Sequence, residues 1–76
     1  SDVSYVMYPN PVVRGGLVSI NSNLKIQNIS VKNILGGKVI SLSDKSISTS
    51  DLIKGTYIIS IEFLDGRLKE NKLVIQ

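Results

Sequence analysis

The residues of this chain that could carry out chemistry are eleven serines, seven lysines and six carboxylates, because it contains no cysteine and no histidine. A catalytic serine needs an activating base, and without histidine only a Ser–Lys arrangement remains. With so many serines and lysines, such pairs arise by chance. None of the carboxylates falls in a loop with the spacing of calcium ligands. The sequence therefore predicts no catalytic residue, no metal site and no cofactor.

Phosphate and nucleic-acid sites are also disfavoured. The "GGK" at residues 36–38 lacks the rest of a phosphate loop, because Lys32 and Val39 stand where a glycine and a Ser or Thr are required. A binder of single-stranded nucleic acid needs aromatic side chains in a basic groove. The net charge of +3 is spread along the chain, and the chain has only three Tyr and one Phe. We expect no nucleic-acid partner.

The composition favours one small all-β domain spanning residues 1–76. The chain contains eleven Ile and eight Val but no Ala. β-branched side chains suit a half-buried pleated surface, whereas Ala is the best helix former. Turn signals separate short apolar runs at intervals typical of a sandwich or barrel. We count six or seven strands.

The clearest strand is "TYIISIEF" at residues 56–63, where Tyr57, Ile59, Ile61 and Phe63 share one face. The following Asp65-Gly66 predicts a two-residue type I′ hairpin. Its partner strand, residues 67–75, changes apolar face along its length. This change suggests a bulge near residues 70–71.

The other runs are less regular. We predict strands at residues 3–8, 17–22 and 28–33, a hairpin turning at Gly36-Gly37 into a strand that carries Val39, and a short strand at Ile47. Ser50-Asp51-Leu52 is expected to start one helical turn that ends at Gly55.

Four segments, taken in order, resemble one family: "YPNPVVRGGLVSI", "ISVKNILGGKVI", "KGTYIISI" and "ENKLVIQ". Together they resemble the type A C-terminal sorting domain of cargo proteins of the type IX (Por) secretion system of Bacteroidetes-type bacteria. The resemblance covers roughly residues 5–76. In the second segment Asn33 stands where the family commonly has Asp, and Gly37 where it often has Lys or Arg. The positions that match the family motifs are Pro9, Asn10, Pro11, Gly15 or Gly16, Gly36, Lys38, Val39, Gly55, Tyr57, Lys72, Leu73, Val74, Ile75 and Gln76.

The resemblance implies an immunoglobulin-like antiparallel β-sandwich of about seven strands. It also implies a secretion signal carried by a larger cargo protein. Type IX translocon components would recognise the domain in the periplasm and move the cargo to the cell surface or the medium. A sortase-like surface protease commonly removes the domain during attachment or release.

The last residues, Lys72, Leu73, Val74, Ile75 and Gln76, are the expected translocon contact. A terminal strand can be offered to a receptor by pairing, or lost without dismantling the fold. The sequence leaves two other functions open. One is an accessory module that binds carbohydrate or peptide, for which Tyr5 and Tyr8 are the spare aromatics. The other is a spacer or oligomerisation domain, in which the first strand could exchange between two copies.

Overall fold

The computed structural model describes residues 3–35, 37–42 and 45–76, and for residues 38–42 it describes the backbone alone. The described strands are β1 (Tyr5–Tyr8), β2 (Leu17–Ser22), β3 (Ile26–Asn33), β4 (Lys38–Leu42), β5 (Ser46–Ser48), β6 (Gly55–Phe63) and β7 (Leu68–Ile75). No helix is found among the described residues, and therefore none that is long and apolar enough to span a membrane. The all-β prediction is confirmed.

The strands form two antiparallel sheets. One sheet has the order β1-β2-β5, and the other has the order β4-β3-β6-β7. Consecutive strands form the hairpins β1–β2, β3–β4 and β6–β7, whereas β5 returns to pair with β2 and β6 pairs with β3. The chain therefore alternates between the two sheets, and a shared core can form between them.

That core takes side chains from both sheets. The strict alternation of β6 buries Tyr57, Ile59, Ile61 and Phe63, as predicted. Each buried side chain of this size contributes about 1.5–3 kcal/mol to the free energy of unfolding. The predicted inward faces of the other strands are confirmed at Val3, Tyr5, Met7, Val18, Ile20, Ile29, Val31 and Ile47. The side chain of Val39 lies outside the described residues.

The connection between β6 and β7 differs from the predicted type I′ turn. The amide of Gly66 donates to the carbonyl of Phe63 (2.9 Å), and the amide of Phe63 donates to the carbonyl of Arg67 (2.9 Å). Gly66 has a φ of +92°, whereas no residue other than glycine has a positive φ among those described. A type I′ turn needs positive φ at both central residues, so the prediction is wrong, and the loop is of the three-residue kind with a left-handed glycine.

Two further local predictions are wrong. β7 pairs with β6 in continuous register from Gly55↔Ile75 to Glu62↔Leu68, without a bulge. The first half of β7 is exposed, and the side chain of Leu68 faces solvent, so no bulge is required to turn it inward. Residues 49–52 form a single turn in which the amide of Leu52 donates to the carbonyl of Thr49 (3.1 Å), the side chain of Leu52 is buried, and no helical turn continues to Gly55, which begins β6.

The left-handed conformation of Gly66 generates a prediction about stability. A Cβ at this position would meet nothing within 4 Å, so Gly66→Ala introduces backbone strain without a clash. We expect the free energy of unfolding to fall by about 1–2 kcal/mol. Gly66→Asn should lose less than Gly66→Ala, because Asn tolerates positive φ. Chemical denaturation measures both variants, and equal stability of wild type and Gly66→Ala would contradict the assigned turn.

Candidate functional site

The strand register brings the described family-motif positions to one end of the molecule. Asn33 lies opposite Tyr57, Gly55 lies opposite Ile75, and Val12 forms an isolated parallel bridge with Ile75. The ends of β3 and β7, the start of β6 and the segment after β1 are therefore neighbours. We call this region the motif end, and it comprises residues 9–16, 33–35, 49–57 and 72–76.

Asn10 is the first contact between the opening motif and the chain terminus. Its side-chain Nδ2 donates to the carbonyl of Lys72 (2.7 Å), and its Oδ1 accepts from the amide of Val74 (3.1 Å). One carboxamide thus pairs with the outer edge of β7 as a backbone peptide group would. An aliphatic side chain at this position could make neither bond.

The backbone continues this pairing after Pro11. The amide of Val12 donates to the carbonyl of Val74 (2.9 Å), and the amide of Gln76 donates to the carbonyl of Val12 (2.7 Å). The amide of Arg14 then donates to the carbonyl of Gln76 (2.8 Å). Because alternate residues face β7, the nitrogen of Pro11 points away from it, and the missing donor costs no ladder bond.

The two prolines therefore mark a change of sheet. β1 belongs to the sheet with the order β1-β2-β5, whereas residues 10–14 lie along the outer edge of β7 in the other sheet. The peptide bonds before Pro9 and Pro11 are both cis. The sequence indicated a stiff corner here, but it gave no sign that the corner leads to the chain terminus.

The predicted recognition residues differ in burial. Leu73 and Ile75 are buried in the core, Val74 is half-buried, and Lys72 and Gln76 are exposed. Removal of this strand would take two large side chains out of the core, which argues against the expectation that it could be lost without dismantling the fold. Its outer edge is also occupied already by residues 10–14.

The Gly-x-Tyr motif forms the corner before β6. Gly55 has a φ of +149°, a conformation that favours glycine. The hydroxyl of the buried Tyr57 donates to the carbonyl of Ile53 (2.6 Å). Tyr57 therefore fills the core and also fixes the chain that leads into its own strand.

Thr49 connects this corner with the glycines that follow the prolines, and sequence reasoning missed it. Its buried hydroxyl accepts from the amide of Gly15 (2.9 Å) and donates to the carbonyl of Gly16 (2.7 Å). Nearby, Nε of Arg14 donates to the carbonyl of Leu52 (2.8 Å). A Cβ on Gly16 would lie 2.9 Å from both Cγ2 of Val12 and the carbonyl oxygen of Val13, so the close approach requires glycine.

The β3–β4 turn is organised by Asn33. Its Oδ1 accepts from the amides of Leu35 and Gly37 (both 3.0 Å), and its own amide donates to the carbonyl of Gly37 (2.9 Å). A carboxylate could accept the same two bonds, so Asn in place of Asp leaves the turn intact. Gly36 and the side chain of Lys38 lie outside the described residues, although the backbone of Lys38 begins β4.

Within the part of the chain that the structure describes, no group of His, Cys, Asp and Glu side chains could hold a metal ion. A depression of about 510 Å³ lies on the outer face of the sheet that contains β6, away from the motif end, and is lined by Ser30, Ser60, Glu70 and their neighbours. There the hydroxyl of Ser60 donates to Oε2 of Glu70 (3.0 Å). The motif end itself offers hydrogen-bonded backbone and exposed side chains, which suits binding by a macromolecule.

The family described as the secretion system C-terminal sorting domain matches residues 6–76. A comparison with curated proteins finds no match. The matched range includes every segment of the motif end.

The Asn10 contact predicts a specific loss of stability. Asn10→Ala removes both bonds to β7, so we expect the free energy of unfolding to fall by about 1–3 kcal/mol and the amide of Val74 to exchange faster with solvent. Asn71→Ala, an exposed change in the same strand, is the matched control and should stay within about 0.5 kcal/mol of wild type. Unchanged exchange at Val74 in Asn10→Ala would contradict the contact.

The buried hydroxyl of Thr49 gives a second prediction about the free energy of unfolding. Thr49→Val keeps the shape but leaves the amide of Gly15 and the carbonyl of Gly16 without this buried partner, so we expect a loss of about 2–3 kcal/mol. Thr49→Ser keeps the hydroxyl and removes one methyl, at about 0.8 kcal/mol. Denaturation that finds the Val variant as stable as the Ser variant would overturn this role.

Proposed function

The chain belongs to the family of secretion system C-terminal sorting domains, and we propose that its motif end is the surface by which the type IX machinery recognises it. The family membership makes the chain a C-terminal sorting signal for type IX secretion, which leads to the cell surface or the outside. The observation that carries the proposal is the convergence of the opening motif, the Gly-x-Tyr corner and the terminal strand.

The immunoglobulin-like fold is part of this proposal. Lettered in chain order as A, B, C, C′, E, F and G, the strands give the sheets ABE and C′CFG, a division related to that of immunoglobulin domains. The bond from the hydroxyl of Tyr57 to the carbonyl of Ile53, near the start of strand F, has the form of a tyrosine corner. The sheet division and the tyrosine bond both support the proposed immunoglobulin-like fold.

The proposed partners follow from a signal of this kind. Residues 1–76 act as one module fused to a cargo domain in a larger secreted protein, which passes through the periplasm of a Bacteroidetes-type cell. Translocon components bind the module, and a sortase-like surface protease removes it. Ser4 pairs with Asn23 at the end of the molecule opposite the motif end, so a cargo joined before residue 1 would leave the motif end accessible.

We further propose that Lys72 and Gln76 contact the receptor through their side chains. Strand pairing with the receptor would compete with residues 10–14 for the outer edge of residues 72–76. Recognition through exposed side chains leaves that pairing undisturbed. The proposal thus keeps the terminal residues as the contact but replaces pairing with side-chain recognition.

The module acts by being bound and has no catalytic role in this proposal. A carbohydrate- or peptide-binding function finds no support, because Tyr5 packs its ring against Phe63 at 6.4 Å. The hydroxyl of Tyr8 accepts from Nδ2 of Asn21 (2.9 Å), and a single exposed ring makes no platform. The strand-exchanged homodimer stays a prediction, in which only the residues up to Tyr8 would exchange, since residues 10–14 are bound to β7.

The test is secretion of a reporter that is directed to the periplasm and carries residues 1–76 at its carboxyl end. A type IX-proficient strain should secrete it, and an isogenic strain without the translocon should not. Lys72→Gln should reduce secretion about tenfold, which corresponds to about 1.4 kcal/mol of binding. Lys69→Gln, an exposed change in the same strand, is the matched control.

Two outcomes would contradict these claims separately. If the intact fusion stays in the periplasm of the proficient strain, the sorting function is wrong. If the fusion is secreted but Lys72→Gln and Lys69→Gln behave alike, the terminal side chain is not the contact.

A further inference from the structure

Four of the most exposed large apolar side chains lie at the motif end. Among the described residues, those with more than 60% of their surface exposed are Val13 (70%), Ile34 (65%), Leu35 (92%), Ile53 (74%) and Leu68 (66%). Leu68 lies at the opposite end with Leu64 (58%), and Val6 and Leu17 are exposed on the sheet formed by β1, β2 and β5. A single exposed apolar residue is normal on a protein surface, but four in neighbouring connections form a feature that needs an explanation.

These four residues lie in adjacent connections. Ile34 and Leu35 follow the end of β3, Ile53 precedes β6, and Val13 lies in the segment bound to β7. β3, β6, β7 and this segment are successive neighbours. Three strand spacings, about 15 Å in all, therefore separate β3 from the segment. We call Val13, Ile34, Leu35 and Ile53 the apolar cap.

The backbone beneath the apolar cap is held in place. The carbonyl of Ile53 accepts from the hydroxyl of Tyr57, and the carbonyl of Leu52 accepts from Nε of Arg14. The amide of Leu35 donates to the side chain of Asn33. Turns normally carry polar residues, so exposed Ile and Leu on hydrogen-bonded turns present an apolar surface whose backbone is already ordered before binding.

The charges around the apolar cap are mainly basic. Arg14, Lys54 and Lys72 are exposed at this end, where Asp51 is an exposed acid, and the exposed Glu70 lies near Lys72. A second copy bound through the same surface would place like charges together, which disfavours self-association. A lipid surface is also disfavoured, because the cap contains no Trp or Tyr of the kind that anchors proteins at a membrane interface.

From these observations we propose that the apolar cap docks into an apolar pocket bordered by carboxylates on a protein of the secretion machinery. The proposal rests on the proposed function and names the chemistry of its partner. The four side chains enter the pocket, and Arg14, Lys54 and Lys72 face the acidic border. Val13, Ile34 and Leu35 lie within segments that resemble the family, but none of the four cap residues is one of the matched motif positions.

The test uses the same reporter fusion with paired variants. Leu35→Ser with Ile53→Ser removes half of the cap, and we expect secretion to fall at least tenfold while the melting temperature of residues 1–76 stays near that of wild type. Leu64→Ser with Leu68→Ser makes the matched change at the opposite end and should leave secretion unchanged. Lys54→Glu should reduce secretion more than Lys25→Glu does, because Lys25 lies at the opposite end.

A photocrosslinking amino acid at position 35 or 68 then tests the partner. Crosslinking from position 35 to a protein of the translocon, and none from position 68, is the expected result. Secretion of the intact fusion with no effect of the Leu35→Ser, Ile53→Ser pair would overturn the cap and leave the sorting function standing. Failure of the intact fusion to be secreted would overturn the function itself.

Two further measurements distinguish other occupants of the cap. Sedimentation of purified residues 1–76 should give a monomer mass, and a dimer that the paired cap variant abolishes would assign the cap to a second copy. Flotation with vesicles of phosphatidylcholine and phosphatidylglycerol should leave the protein unbound. If the protein floats with the vesicles and the paired cap variant does not, the cap binds lipid. Either a dimer or lipid binding that depends on the cap would overturn the proposal that it docks into a protein pocket.

Discussion

The pairing of residues 10–14 with the outer edge of β7 is the interaction on which the rest of the structure depends. A domain of this size buries only about 60% of its chain surface, and it has no cysteine to cross-link its sheets. The chain leaves β1 in one sheet and binds the edge strand of the other, so a backbone ladder joins the sheets beside the core. The same pairing covers half of an edge that would otherwise remain open to aggregation. It also positions Arg14, Gly15 and Gly16 for their bonds with Leu52 and Thr49.

The features that could be predicted from the sequence are local ones. The face of β6 follows from a period of two, because a strand buried on one side must alternate. Asp65-Gly66 predicts the place of the β6–β7 connection but not its turn type, since the same two residues also suit a loop with one left-handed glycine. The predicted bulge in β7 would bring Leu68 onto the same face as Leu73 and Ile75, and the structure has no such bulge. Leu68 is exposed because it lies opposite Glu62 on the outer face of the sheet, whereas Leu73 and Ile75 lie on the inner face.

The features that the sequence did not predict depend on contacts between distant residues. Asn10 and Lys72 are 62 positions apart, and no periodicity or turn signal links them. Thr49 gives even less indication, because a single threonine in a serine-rich segment carries no sign of burial. The family resemblance identified Pro9, Asn10, Pro11 and residues 72–76 as separate motifs along the chain. It did not reveal that the first of these motifs binds the last, which follows only from the sheet order.

The position of the terminal strand has a consequence for how such a signal can be read. Leu73 and Ile75 are inside the core, whereas Lys72, in the same strand, and Gln76, directly after it, project into solvent. The proposed surface combines this strand with residues from three other parts of the chain. An unfolded chain would contain all of these residues but would not bring them together. On the proposed function, therefore, the receptor distinguishes a folded sorting domain from an unfolded one, because only the folded domain presents the apolar cap and the exposed terminal side chains on one surface.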